Sequence, residues 1–203
     1  MIAVIDYGMG NLGSVAHALK ALGGDFRIAA SPREMQGARG ILLPGVGNFG
    51  DGMEHLTGRG FAEAVRKHAA DGGAIFGICL GMQMLFDTSE EAPGVAGLGI
   101  LPGRVRRFPA GKAKVPHMGW NNVRIAGKNE MLKGFPDGAF VYFVHSYYVE
   151  TANPDDTLLE CGYMLPFAAA AGRGNIFATQ FHPEKSQSAG LKLLENFLEK
   201  DRI

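Results

Sequence analysis

Hydrophobic and polar positions along this chain follow two different rhythms. In the first half, short apolar runs alternate with stretches whose apolar residues recur every three or four positions. Ile2 to Asp6 has the pattern of a short buried strand and ends in the turn residues Tyr7-Gly8-Met9-Gly10. Asn11 is placed to cap a helix through about Leu22, because Leu12, Val15, Ala16, Leu19 and Leu22 share one face. Phe26 to Ala29 is a second strand. Ser31-Pro32-Arg33-Glu34 then has the cap, the first-position proline and the third-position glutamate of a helix start. Ile41-Leu42-Leu43 is a third strand, cut off by Pro44-Gly45-Val46-Gly47-Asn48. Phe61, Ala62, Val65, Arg66 and Ala69 give a second amphipathic helix. Ala74 to Ile78 is a fourth strand that runs directly into Cys79 and an apolar helix from Leu80 to about Phe86.

Such strand–helix alternation predicts right-handed crossovers and a parallel sheet with helices on both faces, an α/β fold of the flavodoxin-like kind. From Gly99 to Gln180 the rhythm changes to short β-like runs separated by turn residues. These are Arg104–Phe108, Asn122–Ile125, Phe140–Val144, Leu158–Tyr163, Phe167–Ala171 and Ile176–Gln180. They predict antiparallel ribbons that extend the sheet. A helix from about Ser188 to Lys200 closes the chain with Leu191, Leu194, Phe197 and Leu198 on one face. No repeat, low-complexity tract or linker interrupts the pattern, so one domain over residues 1–203 is expected.

Composition narrows the function classes. Lys+Arg and Asp+Glu number 20 each, so no net field draws the chain to nucleic acid or an anionic membrane, and neither partner is expected. Two cysteines do not make a disulfide framework and suit a reducing compartment. With no basic leader and no long apolar stretch, a cytoplasmic location is the expectation. Thirty glycines imply many tight turns at strand ends.

Three constellations bear chemistry. In Gly77-Ile78-Cys79-Leu80-Gly81, glycines stand two residues either side of a thiol between a strand and a helix, the elbow arrangement of G-x-S-x-G enzymes. The glycines leave room for a sharp turn, and the helix start favours a thiolate. A core cysteine between packing glycines fits the pentapeptide equally well. In Gln180-Phe181-His182-Pro183-Glu184, His182 and Glu184 lie two apart in an extended segment and project to the same side, as a base and its orienting carboxylate must. A metal pair is the rival, but no further ligands stand at usable spacing, and no metal or cofactor is expected. Pro44-Gly45-Val46-Gly47 frees backbone N–H groups for an oxyanion, or is an ordinary turn.

Taken together, G-x-C-x-G after a strand and a late H-P-E resemble the class I (triad-type) glutamine amidotransferases, over nearly the whole chain. Within that family the likeness is to the glutaminase branch that serves histidine biosynthesis. Its supporting stretches are Asp6 to Leu12, Leu43 to Gly47, His117-Met118-Gly119-Trp120-Asn121, Tyr142 to Tyr147 and Gln180 to Ser186. The resemblance implies Cys79 as nucleophile, His182 as acid and base, and Glu184 as orienting group. It implies an oxyanion hole at Val46, Gly47 and Leu80. It implies glutamine binding by Gln83 and by the backbone of His145, Ser146 and Tyr147. It also implies a heterodimer with a (β/α)8-barrel cyclase subunit that consumes the ammonia, with Asn11, Trp120, Tyr142 and Lys185 at the shared face. From its residue type, Trp120 is equally a buried core side chain.

Rival functions are a glutaminase for another acceptor, as in pyridoxal phosphate or guanylate synthesis, a peptidase-like or γ-glutamyl hydrolase, and a silent capping subunit. P-G-V-G and H-M-G-W-N favour the histidine branch over the first. Cys161 is expected to be a core thiol, Met82 and Met84 helix packing, His17, His55 and His68 solvated, and Arg106-Arg107 a solvated strand face.

Overall fold

A computed structural model of the chain describes residues 1–111 and 113–200; the last three residues of the expected domain lie outside it. The elements run β1 (Ile2–Ile5), α1 (Leu12–Ala21), β2 (Phe26–Ala29), β3 (Gly40–Gly45), α2 (Phe49–Gly58), α3 (Phe61–Ala70), β4 (Ala74–Cys79), α4 (Leu80–Met84) and β5 (Thr88–Ser89). They continue with β6 (Gly103–Arg107), β7 (His117–Asn122), β8 (Arg124–Ile125), β9 (Phe140–His145), β10 (Tyr147–Thr151), β11 (Thr157–Gly162), β12 (Pro166–Arg173), β13 (Ile176–Thr179) and α5 (Gln187–Lys200).

The path through the main sheet is β2-β1-β3-β4-β13-β12-β10-β6-β5, with β11 paired to β12 and to β8. From β2 to β13 every pair is parallel, and β12, β10 and β6 then add antiparallel strands. The mostly parallel sheet with an antiparallel extension is the expected α/β fold. Burial on both faces explains the continuous apolar runs of the parallel strands. In β1, Ile2 and Val4 join one core cluster while Ala3 and Ile5 join the other. The first cluster includes α1 and α5, with Phe76 edge-on to Phe177 at 5.2 Å and to Phe197 at 5.5 Å. The second gathers α2, α3 and α4.

Several elements differ from the sequence expectation. β3 runs through Pro44 to Gly45, since its partner positions on β4 extend to Cys79. α2 is a helix that the pattern did not announce. Asn48 caps it by accepting from the Asp51 N–H at 2.9 Å. Its glycines depress helix propensity, yet Gly52 lets α2 sit close against α4, where a Cβ would stand 2.9 Å from Leu80 Cδ2 and 3.1 Å from Met84 Sδ. Ser31 starts only a 3-10 turn, Pro32–Met35, with no side-chain cap bond. β7 and β9 do not extend the sheet. They form a separate two-stranded ribbon in register from His117↔His145 to Asn122↔Phe140. Its inward residues Val141 and Phe143 cover the first core cluster, so its hydrophobic alternation is satisfied without joining the sheet. β10 directly follows it at Tyr147.

Cys161 is buried, and that burial pushes its thiol up to about 12, the state of an inert core cysteine. Met82 and Met84 are fully buried. Arg106 lies on the strand face and pairs with Glu90 and Glu150. His17 and His55 are exposed, but His68 is half-buried under the α3–β4 turn, where its Nε2–H donates to the Ala74 carbonyl at 3.2 Å. Among the described residues no helix is long and apolar enough to cross a membrane.

Candidate active site

Parallel pairing decides where the chemistry-bearing residues meet. Gly45 lies opposite Cys79 on β3 and β4, and Ile78 opposite Thr179 on β4 and β13. The C-terminal ends of these strands therefore share one edge, the place where open α/β sheets hold their sites.

Cys79 sits at φ 55° and ψ −109°, a conformation that costs a side-chain-bearing residue about 1–3 kcal/mol and persists only where its surroundings impose it. They do so here by contact. A Cβ on Gly81 would stand 1.8 Å from the Leu43 carbonyl oxygen, and one on Gly77 would stand 2.9 Å from the Gly81 carbonyl oxygen. The positive φ falls on the cysteine and not on either flanking glycine; the glycines instead let the turn press onto β3 and onto itself. α4 then ends at Met84, short of the expected Phe86, so its contribution at Cys79 is the free N–H groups of its first turn and little macrodipole.

His182 and Glu184 meet as the spacing predicts. His182 Nδ1 and Glu184 Oε1 are 2.9 Å apart, with both side chains at most 3% exposed. The pair is carried by a stitched turn. The His182 N–H donates to the Tyr142 carbonyl at 3.0 Å, the Ser186 hydroxyl donates to the His182 carbonyl at 2.6 Å, and the Tyr142 N–H donates to that hydroxyl oxygen at 3.0 Å. His182 Nε2 makes no aligned hydrogen bond of its own, and the ring lines the same cavity as Cys79. Burial pulls the imidazolium pKa down, but interaction with the Cys79 sulfur and with Glu184 outweighs it and holds the pKa at about 9. The ring is thus an imidazolium beside the sulfur at neutral pH.

That cavity has a volume of about 280 Å³, just below the roughly 300–1,000 Å³ of sites for larger ligands, and suits a ligand the size of one amino acid. Val46, Gly47, Leu80, Gln83, His145, Ser146 and Tyr147, all singled out in the sequence, line it together with Cys79 and His182. Gln83 is buried, and its Nε2 donates to the Tyr147 carbonyl at 3.2 Å and to Gln180 Oε1 at 3.1 Å. Glu184 lies behind His182 and is absent from the lining.

Two residues escaped the sequence reading. Gln180 is fully buried, and its Nε2 donates toward Cys79 Sγ at 3.8 Å; its two-residue separation from His182 in extended chain was the available signal. Glu91 lines the cavity and accepts from the Phe49 N–H at 2.8 Å, while burial raises its carboxyl pKa. No local pattern marks it, because the α2 start that anchors it is 42 residues away in sequence.

The remaining four residues gather beside the site. Trp120 is 47% exposed and stands edge-on to Tyr142 at 6.0 Å, which excludes the buried-core alternative. Lys185 Nζ lies 5.9 Å from the centre of the Tyr142 ring. Asn11 caps α1 through the Ser14 N–H, and α1 packs near the Lys185 turn. Met118 and Phe140, 64% and 63% exposed, lie on the same outer face of the ribbon as Trp120 and Tyr142. These exposed side chains form one apolar patch on the ribbon's outer face.

The chain matches the family described as glutamine amidotransferase class-I over residues 3–200. It is 50% identical over 196 residues to the imidazole glycerol phosphate synthase subunit HisH of Moorella thermoacetica, covering 97% of this chain and 93% of that one. It is 48% identical over 200 residues to the subunit of the same name from Methanosarcina mazei, covering 98% of both chains. Among solved structures, PurLQS from Thermotoga maritima superposes with a TM-score of 0.79 at 20% identity, covering 98% of this chain and 97% of that chain, a likeness of fold. By the family match along nearly its whole length and by its identity to these relatives, the chain belongs to the class-I glutamine amidotransferases, in the branch of the HisH subunits of imidazole glycerol phosphate synthase.

Proposed function

We propose that this chain hydrolyses glutamine to glutamate and ammonia, and that a cyclase subunit with a (β/α)8 barrel, bound as a heterodimer, consumes the ammonia. In that partner, ammonia joins a phosphoribulosyl-formimino carboxamide nucleotide to yield imidazole glycerol phosphate and aminoimidazole carboxamide ribotide. The observation that carries the reading is a thiol held in a strained elbow beside a buried imidazole–carboxylate pair, in a cavity of amino-acid size.

The chemistry follows from the groups present. With its thiol proton transferred to His182, the Cys79 sulfur adds to the glutamine carboxamide carbon, and the oxygen that becomes negative is met by N–H groups of Leu80 and of the Val46–Gly47 segment. Each such donor contributes about 3 kcal/mol in comparable sites. The tetrahedral adduct collapses as imidazolium His182 gives its Nε2 proton to the departing ammonia, leaving a γ-glutamyl thioester. Neutral His182 then takes a proton from water, which attacks the thioester and releases glutamate, with Glu184 holding the imidazole throughout. Glu91, a carboxylate in the cavity wall, is the group whose charge suits the substrate's α-ammonium. Asn11, Trp120, Tyr142 and Lys185 belong to the surface that receives the cyclase.

Because the imidazolium is the acid, the rate is expected to fall as pH rises through about 9, where His182 loses its proton. Glu184 raises that pKa, so in Glu184→Gln the alkaline fall should begin at lower pH. A pH profile of kcat with the same alkaline limb in both proteins would remove Glu184 from this role.

The reading as a whole is tested by assaying glutamine hydrolysis with the chain alone and mixed with the cyclase and its nucleotide. Gly47 has φ 102°, and the one atom near its missing Cβ is the flexible end of Met9, at 2.8 Å. The N–H of the peptide before it is the candidate second oxyanion donor. If partner binding sets that peptide as an oxyanion donor, the rate should rise by roughly 10²–10³-fold, the value of one donor. Equal rates alone and in the pair would contradict the proposal.

A further inference from the structure

The Tyr147 carbonyl oxygen receives two donors where the cavity wall meets the β7–β9 ribbon. Besides Gln83 Nε2, His145 Nδ1 approaches it at 2.7 Å. A carbonyl oxygen only accepts, so His145 carries its proton on Nδ1 and, as a neutral ring, presents Nε2 as an acceptor. That Nε2 lies 3.0 Å from His117 Nδ1, which must therefore donate. His117 Nε2 is left as the acceptor, facing Asn121 Nδ2 at 3.4 Å. The amide is itself pinned: Nδ2 also donates to the Gly162 carbonyl at 3.0 Å, and Oδ1 accepts from the Asn122 N–H at 2.9 Å. Every link thus has one direction, from Asn121 through both rings to the Tyr147 oxygen. Burial lowers the His117 pKa to about 4 and the His145 pKa to about 3, which keeps both rings in the neutral form the chain needs.

Packing alone does not call for these groups. The His117 ring stacks between Phe143 and Tyr163, with centroids 4.7 and 4.0 Å away, and a phenyl ring would fill that slot as well. Burying two imidazoles costs free energy unless their nitrogens are bonded, and here all four find partners.

We infer that Asn121, His117 and His145 are positioning residues for glutamine, a one-way hydrogen-bond chain that fixes the Tyr147 carbonyl and with it the Ser146–Tyr147 backbone lining the cavity. The inference rests on glutamine being the substrate.

Two substitutions at His117 separate this role from packing. His117→Phe keeps the stacked ring and deletes both nitrogens, stranding His145 Nε2 as a buried acceptor. His117→Asn sacrifices the ring but places an amide nitrogen near the position of Nδ1. In the assembled complex with the cyclase, His117→Phe should raise KM for glutamine roughly tenfold, the effect of one lost hydrogen bond. The change should appear in KM more than in kcat, and His117→Asn should fall closer to wild type. The thermal midpoint is read for each variant first. Asn121→Ala, at the outer end, serves as a second variant that should raise KM in the same direction by less. The opposite order, with phenylalanine near wild type and asparagine impaired, would show a packing role and overturn the inference, as would unchanged KM in all three. Labelling of wild-type Cys79 by a diazoketone analogue of glutamine, with protection by glutamine, tests the underlying reading separately. Failure there would sink glutamine as substrate, whereas labelling with unaltered KM in the variants would sink only the chain.

Discussion

Cys79→Ala is expected to abolish glutamine-dependent turnover by the assembled pair while turnover with added ammonium salt persists. The expected fall is roughly 10⁴-fold or more, since removing a nucleophile that acts as a unit with its base costs nearly the whole of their joint contribution. The structure makes the second half of the expectation specific. Cys79 lies at the strand edge with its side chain in the cavity and only 8% exposed. Alanine shares the same Cβ, so the elbow and the packing of Leu80 beneath it are retained. The ammonia acceptor is on the partner, which the substitution does not touch. Loss of both activities would show that Cys79 acts through the fold and not through its sulfur. Assays with glutamine and with ammonium salt, run on the same complex, decide between them.

Gly81→Ala is expected to destabilise the protein by about 3 kcal/mol or more, at or beyond the upper end of overpacking penalties, and to reduce glutaminase activity with it. The added Cβ would stand 1.8 Å from the Leu43 carbonyl oxygen and 2.9 Å from its carbonyl carbon. These are backbone atoms of a strand paired on both sides, so no side-chain rotation relieves the clash. Either α4 lifts from β3, carrying Cys79 out of register with His182, or the strand bends. Gly13 supplies the control, because nothing lies within 4 Å of its missing Cβ. Gly13→Ala in α1 should be stabilising by about 0.5–1 kcal/mol. Denaturant unfolding of both variants measures the contrast. Similar midpoints would contradict the close seating of the elbow on β3.

Much of the parallel half of the fold was legible in the sequence, because strands buried on both faces write continuous apolar runs and their crossover helices write a 3.6-residue period. β1, β2, β4, α1 and α3 were readable for this reason. The same logic failed for α2, where three glycines in ten residues obscure the helical signal. Of these only Gly52 is pressed close against another element, at Leu80, while nothing lies within 4 Å of the missing Cβ of Gly58. The β7–β9 ribbon was misplaced because alternation reports that one face is covered and is silent on what covers it. Whether such a pair joins a sheet or lies over a core is decided by long-range packing.

The site divides along the same line. Local spacing was enough to pair His182 with Glu184, since residues two apart in extended chain share a side. It was also enough to set Cys79 between a strand and a helix. Their meeting required β3, β4 and β13 to be neighbours, although β4 ends at Cys79 and β13 begins only at Ile176. Glu91 was invisible, and so were the contacts of Gln180 with Cys79 and of His117 with His145, because each joins residues far apart in sequence.

By itself, then, the sequence determined the α/β class, the family-bearing motifs and which residues are proposed as the reactive groups, because these depend on residue type and short-range periodicity. Only the tertiary structure decided that Trp120 is exposed, that His182 is an imidazolium beside the cysteine, and that the positive φ belongs to Cys79. Exposure, pKa and backbone strain are set by surroundings that the folded chain assembles from distant segments.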